Sequence, residues 1–145
     1  MIRLVVFCFH FSSKPSDPRD LKRWSVKKTK FYRELYGADV KNVRRRKDGT
    51  VTERVYHVRG LLDGIPHIKL DRSVFAVPPE FAARVRSFFE KYADEVDFCT
   101  FIGLFDEDII RKNCDGGELL RFITKNLGDF TNKEKNGKNY ESTNL

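Results

Sequence analysis

Glutamine is missing from all 145 residues, methionine occurs once, and cysteine occurs three times. So few heat-labile side chains point to a thermophilic source. Cys8, Cys99 and Cys114 are odd in number and lack CxxC spacing, which argues against a disulfide framework. They read as reduced, mostly buried thiols of an intracellular, cytoplasmic protein, with a Cys8–Cys99 bridge between neighbouring strands as the one alternative. No run approaches the ~20 apolar residues of a membrane-spanning helix. Met1 to Phe11 (MIRLVVFCFHF) is apolar but short, includes His10, and runs into Ser12-Ser13-Lys14-Pro15 without a small-residue cleavage pattern. It therefore reads as a buried strand and not a signal peptide. No Walker-type or dinucleotide-binding glycine pattern occurs, so no cofactor is implied.

Aromatic residues and charge are plentiful. Thirteen Phe, five Tyr and one Trp supply enough burial energy for a single domain, expected over residues 1–127, without a metal or disulfide staple. Residues 128–145 are polar and rich in Asn, Lys and Glu, and are expected to be disordered.

The formal net charge of +7 is unevenly spread. Residues 14–59 hold fifteen Lys or Arg against six Asp or Glu, whereas 60–145 hold twelve against fifteen. A basic half beside a mildly acidic half generates a directed field. Nucleic acid is the partner class such a field favours, because displaced counterions drive binding, and anionic lipid is second. The run Arg44-Arg45-Arg46-Lys47 is mostly arginine, which grips phosphate bidentately.

Periodicity gives the elements. Residues 2–11 read as a strand and 12–20, with Pro15 and Pro18, as a loop. A helix follows, with Ser25 as N-cap and Gly37 as stop. It sets Phe31 and Leu35 beside Tyr32 and Tyr36, while Lys27, Lys30 and Arg33 project elsewhere. Val40–Arg46 and Val51–Val58 form a hairpin about the Asp48-Gly49 turn. On its second arm Val51, Glu53, Val55 and His57 share one face, and Thr52, Arg54, Tyr56 and Val58 the other. Neither face is purely apolar, so a twisted ribbon projecting into solvent is expected. A short turn (Gly60–Pro66), an extended piece from Ile68, a buried strand at Ser73–Val77, a helix over 80–92 and a strand over 96–104 complete the core. Asp106 caps a short helix, and another covers 118–126. The order strand-helix-strand-strand-helix-strand predicts an α+β, ferredoxin-like βαββαβ sandwich with a basic β-hairpin and a C-terminal helical extension. The hairpin is either an insertion or the second core strand.

The expected function is nucleic-acid binding, to DNA or RNA. Lys27, Lys28, Lys30 and Arg33 form one phosphate-gripping surface, and Arg44, Arg45, Arg46 and Lys47 another, extended by Arg54 and Arg59. Tyr32, Tyr36 and Tyr56 are candidates for stacking on exposed bases. No catalytic or metal-binding residue is assigned, and the chain reads more as a binder than an enzyme. The enzymatic alternative is a metal-dependent nuclease using Asp63 with His67 or Asp71. Cys8 and His10 share a strand face expected to be buried among Phe, where a thiol is inert. A third reading is a protein-interaction module in which the acidic half of one copy meets the basic half of another in a homodimer.

Val58 to Pro66 (VRGLLDGIP) resembles the signature helix of LAGLIDADG homing endonucleases over nine residues. Asp63 matches one acidic position of that motif. Ile65 stands at the second, metal-binding acidic position and Pro66 at the terminal glycine. The resemblance therefore implies DNA binding by a catalytically degenerate relative. Arg72-Ser73-Val74-Phe75 with the following strand-helix-strand is similar to the small ferredoxin-like nucleases of CRISPR adaptation. The stretch matching their acidic residue, Phe9 to Ser13, holds no carboxylate.

Overall fold

The computed structural model describes residues 1–113 and 118–125. The elements are β1 (Ile2–Phe11), α1 (Pro18–Tyr36), β2 (Ala38–Arg45), β3 (Val51–Val58), β4 (Ile68–Asp71), β5 (Val74–Val77), α2 (Ala82–Lys91), β6 (Val96–Phe105) and α3 (Glu107–Lys112). Residues 118–125 are helical. Short 3-10 turns at Leu61–Gly64 and Pro79–Phe81 precede β4 and α2. The architecture is α+β. Four strands form an antiparallel sheet in the order β4-β5-β1-β6, and β2 and β3 form a separate two-stranded sheet.

Side chains alternate across β1 and so feed both faces of the sheet. Val5, Phe7, Phe9 and Phe11 join Phe31 and Leu35 of α1 and Val85 and Phe89 of α2 in one cluster. Its rings are densely paired: Phe7 lies 5.4 Å from Phe75, Phe9 5.4 Å from Phe31, and Phe89 5.0 Å from Phe98. Each such buried side chain contributes roughly 1.5–3 kcal/mol of burial free energy. Leu4 and Val6 point the other way and pack with Ile110, Leu119 and Ile123. The sheet thus lies between α1 and α2 on one side and α3 with 118–125 on the other.

Several expectations change. α1 begins at Pro18, not after Ser25. Asp17 is its cap and accepts the Arg19 N–H at 3.0 Å, while Ser25 sits mid-helix, its carbonyl accepting from the Thr29 hydroxyl. The Asp-Pro pair is a helix-start signal, since Pro needs no N–H partner at the first position. Cys8 and His10 do share a face, but it is the one opposite Phe7, Phe9 and Phe11. Cys8 is half-buried in the second cluster, and His10 and Cys99 are exposed. Cys8 and Cys99 stand directly opposite across β1 and β6 as free thiols. Burial, with the neighbouring Cys99 thiol, pushes the Cys8 pKa up. The outer strand β6 is buried at Val96 but leaves Phe101 52%, Ile102 62% and Leu104 62% exposed. Cys114, Asn126 and the polar segment 128–145 lie outside the described residues. No helix among the described residues is long and apolar enough to cross a membrane.

Candidate nucleic-acid interface

The ribbon of β2 and β3 springs from a tight crossing. Gly37 ends α1 at φ 80, a conformation L side chains avoid. A Cβ there would stand 2.4 Å from the Val58 carbonyl oxygen, and one on Gly60 2.2 Å from the Gly37 nitrogen. Both are backbone atoms, so only glycine allows the start and end of the ribbon to pass over the end of α1.

His57 fastens this crossing. Its Nδ1 meets Asp39 Oδ1 at 2.9 Å and its Nε2 meets Asp63 Oδ2 at 2.7 Å. The same Asp63 oxygen accepts the Gly60 N–H at 2.7 Å. Hydrogen bonds from the ring to Asp63 and then Asp39 raise the His57 pKa, so the ring keeps both N–H donors to a higher pH than a free imidazole does. Burial opposes ionisation of Asp63, but the Gly60 N–H and the His57 bond outweigh it and hold its pKa below the usual carboxylate value.

Alternation along the ribbon sorts its charges. Arg44 pairs with Thr52, Asn42 with Arg54, Val40 with Tyr56 and Ala38 with Val58. That face carries Arg44 and Arg54 with no carboxylate, and Arg46 joins them around a shared hollow with Asn42 and Thr52. The reverse face carries Lys41 and Arg45 with Asp39 and Glu53, and Lys41 pairs with Glu53 at 3.2 Å. Exposed Val43, Val51 and Val55 separate those charges. One face is cationic and the other is close to neutral. At the tip Gly49 adopts φ 88 and Asp48 accepts the Thr50 N–H at 3.1 Å, which closes the turn.

The cationic face leads to α1. Val58, on that face, and the next residue, Arg59, line a cleft of about 460 Å³ with Lys30, Arg33 and Glu34. Glu34 is engaged by the Tyr92 hydroxyl and by Lys91 at 3.3 Å, and these bonds lower its pKa despite partial burial. Across the same exposed ridge of α1 lies a second cleft of about 590 Å³, lined by Lys28, Tyr32, Arg33, Tyr36, Lys69 and Arg72 among others. Arg33, Ser25 and Thr29 border both.

The expected binding residues therefore fare differently. Arg44, Arg46, Arg54, Arg59, Lys30 and Arg33 lie along one path from ribbon tip to helix. Lys30 also reaches Glu34 at 4.0 Å. Arg45 is on the reverse face. Lys47 is exposed in the turn. Lys27 is tied to Glu95 at 2.6 Å, away from the path. Lys28 lies over the Trp24 ring at 4.6 Å and borders the second cleft. Tyr56 is exposed on the cationic face. Tyr32 and Tyr36 are half-buried, packed against Phe9 and Phe75 and covered by Arg72 and Lys69. They serve as platforms for cations. Sequence reasoning passed over Lys69 and Arg72, which come from β4 and its turn. Their approach to Tyr32 and Tyr36 is long-range, so no local pattern announces it.

The side chains considered for metal chemistry are each engaged locally. Asp63 bonds His57 and Gly60, His67 Nδ1 meets the Ile65 carbonyl at 2.8 Å, and Asp71 accepts the Arg72 N–H at 2.7 Å. Among the described residues no group of three or more His, Cys, Asp or Glu could hold a metal ion. The stretch resembling the LAGLIDADG helix starts on the last residue of β3 and holds a four-residue 3-10 turn, Leu61–Gly64, in place of a long helix, with Leu62 and Ile65 buried.

No protein-family model matches the sequence, and comparison with curated proteins and with solved structures gives no match.

Proposed function

We propose that this protein binds nucleic acid along the surface that runs from the cationic ribbon face to the ridge of α1. The observation that carries the reading is the sorting of the ribbon. Arg44, Arg46 and Arg54 share a face without carboxylates, and that face opens at its base onto Lys30, Arg33 and Arg59. Eight residues per strand make the ribbon about 25 Å long, and a two-stranded ribbon fits the B-DNA major groove. Guanidinium groups with water on one side and a neutral strand pair behind them suit phosphate contacts, so backbone positioning dominates over base readout. Tyr56 is the aromatic side chain on this path exposed enough to meet a base.

The scaffold in this reading is a ferredoxin-like unit. With β1, β4, β5 and β6 as core strands and α1 and α2 as the two helices, the sheet order and antiparallel pairing support that assignment. The ribbon is then an insertion between α1 and the second core strand.

The test is fluorescence anisotropy with DNA and RNA duplexes and single strands over a salt series. Affinity is expected to fall steeply with salt for at least one of them, with a log–log slope of about −4 or steeper from five or more phosphate contacts. No binding in dilute buffer, or a flat salt response, overturns the reading.

A second reading rests on β6, whose outer part exposes Phe101, Ile102 and Leu104. A sheet edge of this kind pairs with another copy of itself. The solution mass at low and high salt tests it: an apolar edge dimer survives high salt, and Ile102→Lys dissociates it. A monomer throughout removes the reading.

A further inference from the structure

The cleft between α1 and the β4–β5 turn is separate from the ribbon and has a distinct construction. Tyr32 and Tyr36, one helical turn apart, lie with ring planes 19° from parallel and centroids 6.2 Å apart. Their far sides pack on Phe9 and Phe75. On this platform the Lys69 ammonium sits 4.1 Å from the Tyr36 centroid and the Arg72 guanidinium 4.9 Å from that of Tyr32. Cation–π attraction holds both side chains in place. The Tyr36 hydroxyl donates to the Arg72 carbonyl at 2.7 Å and pins the turn to the helix. Lys28 and Arg33 border the cleft from α1.

Some cations on other parts of the molecule are paired. Lys27, Lys30, Lys41, Lys91 and Arg111 each have a carboxylate within 4.0 Å. Lys28, Arg33, Lys69 and Arg72 have none among the described residues, and no acidic side chain lines the cleft. Four like charges bordering one cleft, none paired with a carboxylate within 4.0 Å among the described residues, repel one another, and two of them are fixed before any ligand arrives. A compact, multiply charged anion relieves that repulsion at little ordering cost. With the tyrosine faces already covered, the cleft offers a base little stacking surface. Its chemistry selects phosphate.

We infer that this cleft binds a phosphate group carrying at least two negative charges, through Lys69, Arg72, Lys28 and Arg33. Its size, about 590 Å³, is in the range of small-ligand sites. A terminal phosphate monoester of a nucleic-acid strand and free pyrophosphate present the same chemistry. The inference stands whether or not the ribbon binds nucleic acid.

The test is calorimetric titration of the full chain with sodium pyrophosphate in about 0.15 M salt. Saturable binding with a dissociation constant below about 1 mM is expected, weakened at least tenfold in a Lys69→Gln, Arg72→Gln double variant. A Lys41→Gln, Arg45→Gln double variant, which loses the same charge from the ribbon, should bind as the parent does. Unchanged near-ultraviolet circular dichroism of the first double variant shows that its platform is still packed. In a second arm, 5′-phosphorylated and 5′-hydroxyl oligonucleotides are compared. A preference for the phosphorylated strand that disappears in Lys69→Gln, Arg72→Gln assigns the site to a strand end. Pyrophosphate binding without that preference assigns it to a free anion. Pyrophosphate binding with no oligonucleotide binding at all keeps the site and removes the ribbon's proposed function. No saturable pyrophosphate binding, or equal weakening in both double variants, overturns the inference.

Discussion

The layer beneath α1 and α2 and the ribbon of β2 and β3 are two opposite uses of the same chain. In the first, Phe7, Phe31, Phe75 and Phe89 are fully buried and touch one another. In the second, every residue of β3 is exposed and no residue of β2 is fully buried. The aromatic layer holds the fold together. The ribbon is fastened at its base by the Gly37–Gly60 crossing and the Asp39–His57–Asp63 hydrogen bonds. The ribbon buries no side chain fully, yet it is charge-sorted and anchored at its base, and the proposed binding surface is a use for what it presents to solvent.

The contrast can be broken most forcefully from the core side. Phe89→Ala removes a ring in contact with Phe7, Phe9, Phe31, Phe75 and Phe98, and should destabilise the protein by about 3–5 kcal/mol in chemical denaturation. Replacing residues 42–54 by a two-residue turn removes no fully buried side chain and should leave the denaturation midpoint close to the parent's while abolishing nucleic-acid binding. A large loss of stability on that truncation would show the ribbon to be part of the core.

Gly60→Ala probes the joint between the two regions. The added methyl meets backbone at 2.2 Å and should cost about 1–3 kcal/mol, with the ribbon's amide resonances shifted more than those of β1. A smaller effect belongs to His57. Its raised pKa means that the folded protein holds the proton more tightly than the unfolded chain. The fastening is complete below the ordinary imidazole pKa and is lost as pH rises through the elevated one. At the acid end it is lost as Asp63, with its depressed pKa, takes up a proton. An NMR titration should give a His57 midpoint above that of a free imidazole. Asp63→Asn should bring it back towards the ordinary value, and an unmoved midpoint would contradict the assignment.

The sequence told these regions apart for different reasons. The apolar run Ile2–Phe11 and the helical spacing of Phe81, Val85, Phe88, Phe89 and Tyr92 mark the core, because burial leaves a trace in the sequence. The ribbon was legible from Asp48-Gly49 and from the mixed faces of β3. The misplaced start of α1 came from treating Pro18 as a breaker when Asp17 makes it a first-turn residue. The surface was less legible. Arg44, Arg45 and Arg46 look like one basic run, yet strand geometry sends Arg45 to the reverse face. Lys69 and Arg72 carry no local signal, since their meaning lies in tyrosines about 36 residues earlier. Asp63 looked like a remnant of a metal site and is instead a partner of His57.

The most direct measurement is a charge-matched comparison of the ribbon's two faces. Arg44→Ala with Arg46→Ala, and Lys41→Ala with Arg45→Ala, each remove two positive charges from the same two-stranded sheet. On B-DNA the account predicts that the first pair flattens the log–log salt slope by about 1.8 and weakens binding at low salt, while the second leaves the slope within about 0.5 of the parent's. Equal losses from both faces would mean that net charge alone attracts the ligand, and would contradict a binding surface built on one side of the ribbon.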